Sequence, residues 1–195
     1  MSDRLAINEV DFLPARSLCS RILASVFCWA FLAACGDSIH DVVNREDLAC
    51  AQAMLAKAPA LVNARTSNGK TPLHYAVTYG QPTFIDFFVS RGADVNAADK
   101  TGLTPLHAAA MLGREKEADE LIRHGANVEA RDAFGDTPLH LAALFGQSRM
   151  LKHLAEAGAS INTVNNDNVT PRQAALKSRR IDAVDALDRL GKQDR

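Results

Sequence analysis

Six histidines, four cysteines and a run of carboxylates are the groups in this 195-residue sequence most able to do chemistry. Three of the histidines, His74, His107 and His140, recur at intervals of 33 residues, each closing a Thr-Pro-Leu-His string. Three imidazoles would suit a metal ion. One ring per 33-residue unit, however, sets neighbours too far apart to share an ion that binds at about 2 Å, so a structural role is expected. His40, His124 and His153 fall outside these strings and are expected at the surface or at helix ends. The carboxylates of 115-EKEADE-120 read as a solvated helix face. Glu117 is odd among them, because the positions one and two intervals away hold Phe84, Met150 and Ala183; an ion pair or a loosened edge would account for it. No Gly-x-Ser-x-Gly elbow, phosphate-binding Gly-Lys loop or His-Glu-x-x-His helix occurs. The reading therefore assigns no catalytic residue, no metal and no cofactor, and the chain is expected not to be an enzyme.

The elements that carry these residues must be those of a globular protein. A hydrophobic share of 47% with 23% charged residues is too apolar for a disordered chain. The net charge of −1 and the 6% aromatic content supply neither the pull nor the stacking surface that nucleic acid needs. Cys19, Cys28 and Cys35 sit in or at the end of an apolar N-terminal stretch, with Cys50 beyond it. No disulfide framework or cysteine-rich zinc site is implied.

That stretch, 22-ILASVFCWAFLAA-34, has 13 residues without a charge, short of the roughly 20 a spanning helix needs. Arg16 and Arg21 flank it, and Ala33 and Ala34 precede Cys35, the layout of a secretory signal. The string 32-LAAC-35 resembles the lipobox of bacterial lipoproteins. The resemblance implies cleavage before Cys35, a diacylglycerol thioether on its thiol and acylation of the new amino terminus. Residues 1–34 are then a signal peptide and 35–37 a lipid-anchor tether. In that family an Asp directly after the Cys favours inner-membrane retention; here Gly36 follows and Asp37 comes second. The implied address is the periplasmic side of the outer membrane of a Gram-negative cell. One departure is length: about twenty residues precede the apolar core, and a start nearer Arg16 would give the ordinary size.

From residue 38 the chain repeats. The strings 71-TPLHYA-76, 104-TPLHAA-109, 137-TPLHLA-142 and 170-TPRQAA-175 stand 33 residues apart, as do 92-GADVNA-97, 125-GANVEA-130 and 158-GASINT-163. This resembles the ankyrin repeat. The resemblance implies an all-α solenoid of stacked helix-turn-helix units joined by hairpin-like loops over 38–192. Full repeats are expected at 66–98, 99–131 and 132–164, with capping units at 38–65 and 165–192. Thr71, Thr104, Thr137 and Thr170 can cap helices that begin with Pro. Gly80, Gly113 and Gly146 let the chain leave them, and Gly92, Gly125 and Gly158 end the second helices. Arg172, Gln173, Asn168 and Arg179 break the pattern in the last unit, as suits an end with no further neighbour. In the family the imidazoles of the His74 register bind backbone of adjacent turns. Cys50 is expected to be a buried structural thiol of the first cap.

The family's binding surface is the concave side, made of hairpin tips and first-helix ends. Register places Asn68, Lys70 and Tyr79 there in the first full repeat, Lys100, Leu103, Met111 and Leu112 in the second, and Phe134, Asp136, Leu144 and Phe145 in the third. Large apolar groups at positions the fold does not need mark an interaction site. The resemblance thus implies a monomeric protein-binding module, a scaffold or adaptor for envelope proteins. Alternatives within that class are an inhibitor of a toxic or hydrolytic enzyme in the periplasm, and an exported effector that binds host proteins.

Overall fold

The computed structural model describes residues 38–193; the expected signal peptide, tether and Cys35 lie outside them. Among the described residues the structure is all-helical, ten α-helices and one 3₁₀ turn. The first unit is α1 (Ile39–Asn44) and α2 (Leu48–Lys57), followed by the 3₁₀ turn Pro59–Asn63. Three full repeats follow as α3 (Pro72–Tyr79) with α4 (Pro82–Val89), α5 (Pro105–Leu112) with α6 (Glu115–Arg123), and α7 (Pro138–Phe145) with α8 (Ser148–Glu156). The last unit is α9 (Pro171–Lys177) with α10 (Ile181–Gln193). The first helices α1, α3, α5, α7 and α9 pack on one another in chain order, and α4, α6, α8 and α10 form a second row.

Each first helix starts for the same reason. Thr71, Thr104, Thr137 and Thr170 are N-caps in extended backbone with Pro at the first helical position. Proline loses nothing there, since that N–H has no intrahelical partner. A capping box closes each start: His74, His107 and His140 accept the Thr backbone N–H at 3.1, 3.1 and 3.2 Å. Gln173 does this for Thr170 at 2.9 Å, and in the first cap Asp41 does it for Ser38 at 2.9 Å. The first unit therefore obeys the rule without the Thr-Pro-Leu-His string.

Stacking needs small residues where first helices meet. Ala76, Ala109, Ala142 and Ala175 are each 0% exposed. Leu73, Leu106 and Leu139 of the first helices are buried in one core with Phe84, Ile85, Phe88, Leu121, Met150, Leu151 and Leu154 of the second row. Glu117 occupies the core column of Phe84, Met150 and Ala183 and is only 5% exposed. Neither expectation for it holds, since it lies at no loosened edge and forms no ion pair among the described residues. It sits in the first turn of α6, where free backbone N–H groups and the helix dipole favour a carboxylate. His40 stands at a helix end, as expected, in the first turn of α1. It is buried, donates from Nε2 to the Ala64 carbonyl at 3.2 Å and lies 4.9 Å from the Tyr75 ring.

Between repeats the loops lock onto one another. Asp99 Oδ1 accepts the N–H groups of Thr101 and Leu103, and Asp132 Oδ1 those of Phe134 and Asp136. These Asx turns fold each hairpin. Adjacent hairpins then bond through backbone, Lys100 N–H to Asn68 O and Ala133 N–H to Thr101 O, both at 3.0 Å. Gly102 stands at such a junction with φ 82°, and a Cβ there would lie 2.8 Å from the Ala133 nitrogen. Gly92 has φ 86° and open space around it. Gly102→Ala is expected to cost about 3 kcal/mol and Gly92→Ala about 1 kcal/mol. Urea midpoints that fall equally for the two would show that the hairpin junction has room to yield.

At the C-terminal end, Arg172 turns to solvent and forks onto Asp188 of α10 at 2.5 and 3.0 Å. Asn168 and Arg179 hold the left-handed backbone (φ 57° and 56°) that glycine holds in the inner repeats. Cys50 is half-buried in α2. No helix of the described residues is long and apolar enough to cross a membrane.

Candidate protein-binding face

The face is made of two features that the repeat generates together, the C-terminal ends of the first helices and the tips of the hairpins. Tyr79, Leu112 and Phe145 occupy one register position, the last residue of α3, α5 and α7. Each is followed by a glycine in left-handed backbone, Gly80, Gly113 and Gly146. The chain turns away there, so the side chain before the turn has no second helix to cover it. Because α3, α5 and α7 pack side by side, the three form a column. They are 40%, 41% and 43% exposed. Leu144, one position earlier on α7, is 36% exposed, and Phe134 at the third hairpin tip is 68% exposed. These five are the majority of the eight large exposed apolar side chains among the described residues.

Backbone fixes what these side chains present. The Phe134 N–H donates to Asp132 Oδ1 at 2.9 Å, and its carbonyl accepts from Asn166 N–H at 3.0 Å. The ring therefore projects from a held tip. Tyr79 leans on Tyr75, centroids 6.0 Å apart. Asn68 and Lys100 are exposed at their hairpins, whereas Lys70, Leu103, Met111 and Asp136 are half-buried. Leu103 and Asp136 are partly engaged in the fold, since their carbonyls accept from His74 and His107, and Asp136 Oδ1 accepts from Asn165.

The histidine column behind this face is structural, as expected. In each ring Nδ1 accepts from a Thr backbone N–H, so Nε2 carries the proton. Nε2 donates to the next hairpin, to Leu103 O, Asp136 O and Val169 O at 2.9, 3.1 and 3.0 Å. One side chain thus ties a helix start to the following repeat. Burial holds all three rings below the ordinary imidazole pKa, although those carbonyl bonds and nearby aspartates work in the other direction.

Some contributors carried no signal that register reasoning used. Asn63 donates to Gly92 O and accepts from Asp94 N–H, and Asn96 does the same for Gly125 and Asn127. The 33-residue spacing of the two asparagines was the available clue. Val164, Leu176 and Ile181 are exposed in or beside the last unit, where the repeat pattern fades. Two open depressions on that unit, about 340 and 500 Å³, are lined by no serine, threonine, cysteine or histidine.

A search of curated proteins finds no match to the chain. A family model described as ankyrin repeats (three copies) matches residues 39–132, 83–165 and 118–193. Those spans cover the described helices almost end to end, and proteins of this family are typically non-enzymatic binding modules. The chain belongs to the ankyrin-repeat family.

Proposed function

We propose that this protein is a lipid-anchored ankyrin-repeat protein of the bacterial cell envelope, which binds a protein partner through the face bearing Tyr79, Leu112 and Phe145. The observation that carries the binding half is that exposed apolar column, extended by Leu144 and Phe134. Contiguous exposed apolar groups mark interaction surfaces, and aromatic side chains are the usual anchors of protein interfaces. A stack of repeats is stiff, so little order is lost when it binds.

The anchoring half rests on 32-LAAC-35 at the end of a charged-then-apolar leader. With Cys35 acylated, only Gly36 and Asp37 separate the lipid from the Ser38 cap. Two extended residues reach about 7 Å, which would hold the first unit at the headgroups and restrict the partner search to the membrane surface. Scaffolding is the favoured role; a single tight enzyme partner would favour inhibition. Intact mass of the membrane-extracted protein tests the anchor. The expected mass is that of a chain beginning at Cys35 plus acyl groups, absent from Cys35→Ala. An unprocessed, lipid-free chain would overturn it.

A further inference from the structure

The outer face of the stack carries a second constellation, unrelated to the binding column. Asp86 lies on α4, and Glu120 and His124 lie on α6 and at its C-cap, four residues apart and so on one side of the helix. One ligand atom from each falls within 4.8 Å of the other two. We propose that Asp86, Glu120 and His124 bind a divalent metal ion of the zinc class, clipping together the outer helices of two neighbouring repeats.

Three features support it. The first is geometry. Tetrahedral zinc holds O and N donors at about 2.0–2.2 Å, so roughly 3.4 Å from one another. The widest separation must close by about 1.4 Å at most, and the His124–Asp86 pair, now 2.7 Å apart, must open by about 0.7 Å; side chains 57% (Asp86) and 29% (His124) exposed can rotate that far. The second is charge. Two carboxylates from different repeats converge, with the His124 Nε2–H donating to Asp86 Oδ1 at 2.7 Å. Arg123 lies against Glu120 Oε2 as an ion pair, and that oxygen is shut off from solvent. The guanidinium is 62% exposed and can leave when a dication arrives. The third is the donor set. Two oxygens and one imidazole suit zinc, cobalt or nickel better than magnesium or calcium, which prefer all-oxygen shells. On binding, the proton on Nε2 leaves to solvent and gives up its bond to Asp86; the metal takes the freed Nε2 lone pair, and the neutral ring carries its single proton on Nδ1.

His153 supplies an internal control. It also meets two carboxylates of α6, but Asp119 faces its Nδ1 at 3.2 Å while Glu115 faces its Nε2 at 3.6 Å. The ring separates them, so they cannot share its metal.

The test is zinc chloride titrated into the EDTA-stripped full chain, followed by calorimetry and thermal melting. One equivalent is expected to bind and to raise Tm by about 5 °C at a hundredfold excess over Kd. His124→Ala and Glu120→Gln, folded by circular dichroism, should lose the shift, and His153→Ala should keep it. Cobalt(II) should give visible bands without a thiolate charge-transfer band. Absence of binding, equal binding by His124→Ala, or a thiolate band removed by Cys50→Ser would overturn the proposal.

Discussion

Stability should be nearly constant above pH 6.5 and fall steeply as the solution is made more acid, through the histidine column. His74, His107 and His140 are 2%, 0% and 1% exposed. Each folded pKa lies below its ordinary value of 6.5, with burial the largest cause. The Leu103, Asp136 and Val169 carbonyls and Asp99, Asp132 and Asp136 oppose the shift, while Lys70, Arg65 and Arg131 add to it. Geometry gives the same sign, because protonating Nδ1 would set its new N–H against a Thr N–H. Between the lowered folded pKa and 6.5 the unfolded chain holds more protons, so stability rises with pH there. The contribution is complete above 6.5 and is lost as pH falls toward the folded values. Each ring contributes a slope of at most about 1.4 kcal/mol per pH unit, so three approach about 4 kcal/mol per unit. Against a total of roughly 5–15 kcal/mol, a slope of that size is a large share of the stability. Asp41, Asp86 and Asp99 also have lowered pKa values, but their contributions are lost only below about pH 4, a separate limb.

The last repeat indicates how to test this. Gln173 holds the histidine register and closes the same capping box without titrating near neutrality. His107→Gln should keep the helix start and lose the bond to Asp136 O, costing about 1 kcal/mol at pH 7.5. In return, the column's part of the acid slope should shrink by about one third, while His40, whose pKa burial also lowers, keeps its own part. Urea midpoints at pH 7.5, 6.5, 6.0 and 5.5 measure both. A slope unchanged in the triple variant His74→Gln, His107→Gln, His140→Gln would place acid lability elsewhere.

The same comparison shows why part of this molecule was legible in the sequence. Thr104, Pro105, His107 and Gly113 act within one helix and the next hairpin, and each copy repeats the same local demand. Residue type at a fixed interval was therefore enough to place helix starts, stops and the stacking alanines. The exposed column followed from the same register, because Tyr79, Leu112 and Phe145 differ in identity at a position whose geometry does not change. What register could not show is contact between unlike positions. Asp86, Glu120 and His124 come from three different register columns, and only the packing of α4 on α6 brings them together. Glu117 was misread for a related reason. A carboxylate in an apolar column suggests an edge, but the helix terminus beneath it supplies the compensation. The burial of His40 likewise involves a contact outside its own register, with Tyr75 of the following unit.

The proposed binding face yields the second large effect. Tyr79→Ala with Phe134→Ala is expected to weaken partner capture at least about a hundredfold, since buried aromatic anchors are each worth about 2 kcal/mol or more. The fold should barely notice. Tyr79 gives up one ring contact with Tyr75, and Phe134 is 68% exposed on a tip fixed by backbone bonds the substitution keeps. Surface changes of this sort stay within about 0.5 kcal/mol each, so the helical spectrum and melting point should hold. Placing a photo-crosslinking residue at Leu112, in the middle of the column, identifies what the wild type captures. The same residue at Lys152, on α8 of the outer row and 69% exposed, should capture nothing in common with it. The double variant carrying the Leu112 crosslinker should lose the product. If it folds and crosslinks as well as the parent, the apolar column is not the anchor. Crosslinking at Lys152 alone would move the interface to the outer helices. Loss at Leu112 with a normal melt, by contrast, separates recognition from stability, because the column contributes little to the core beneath it.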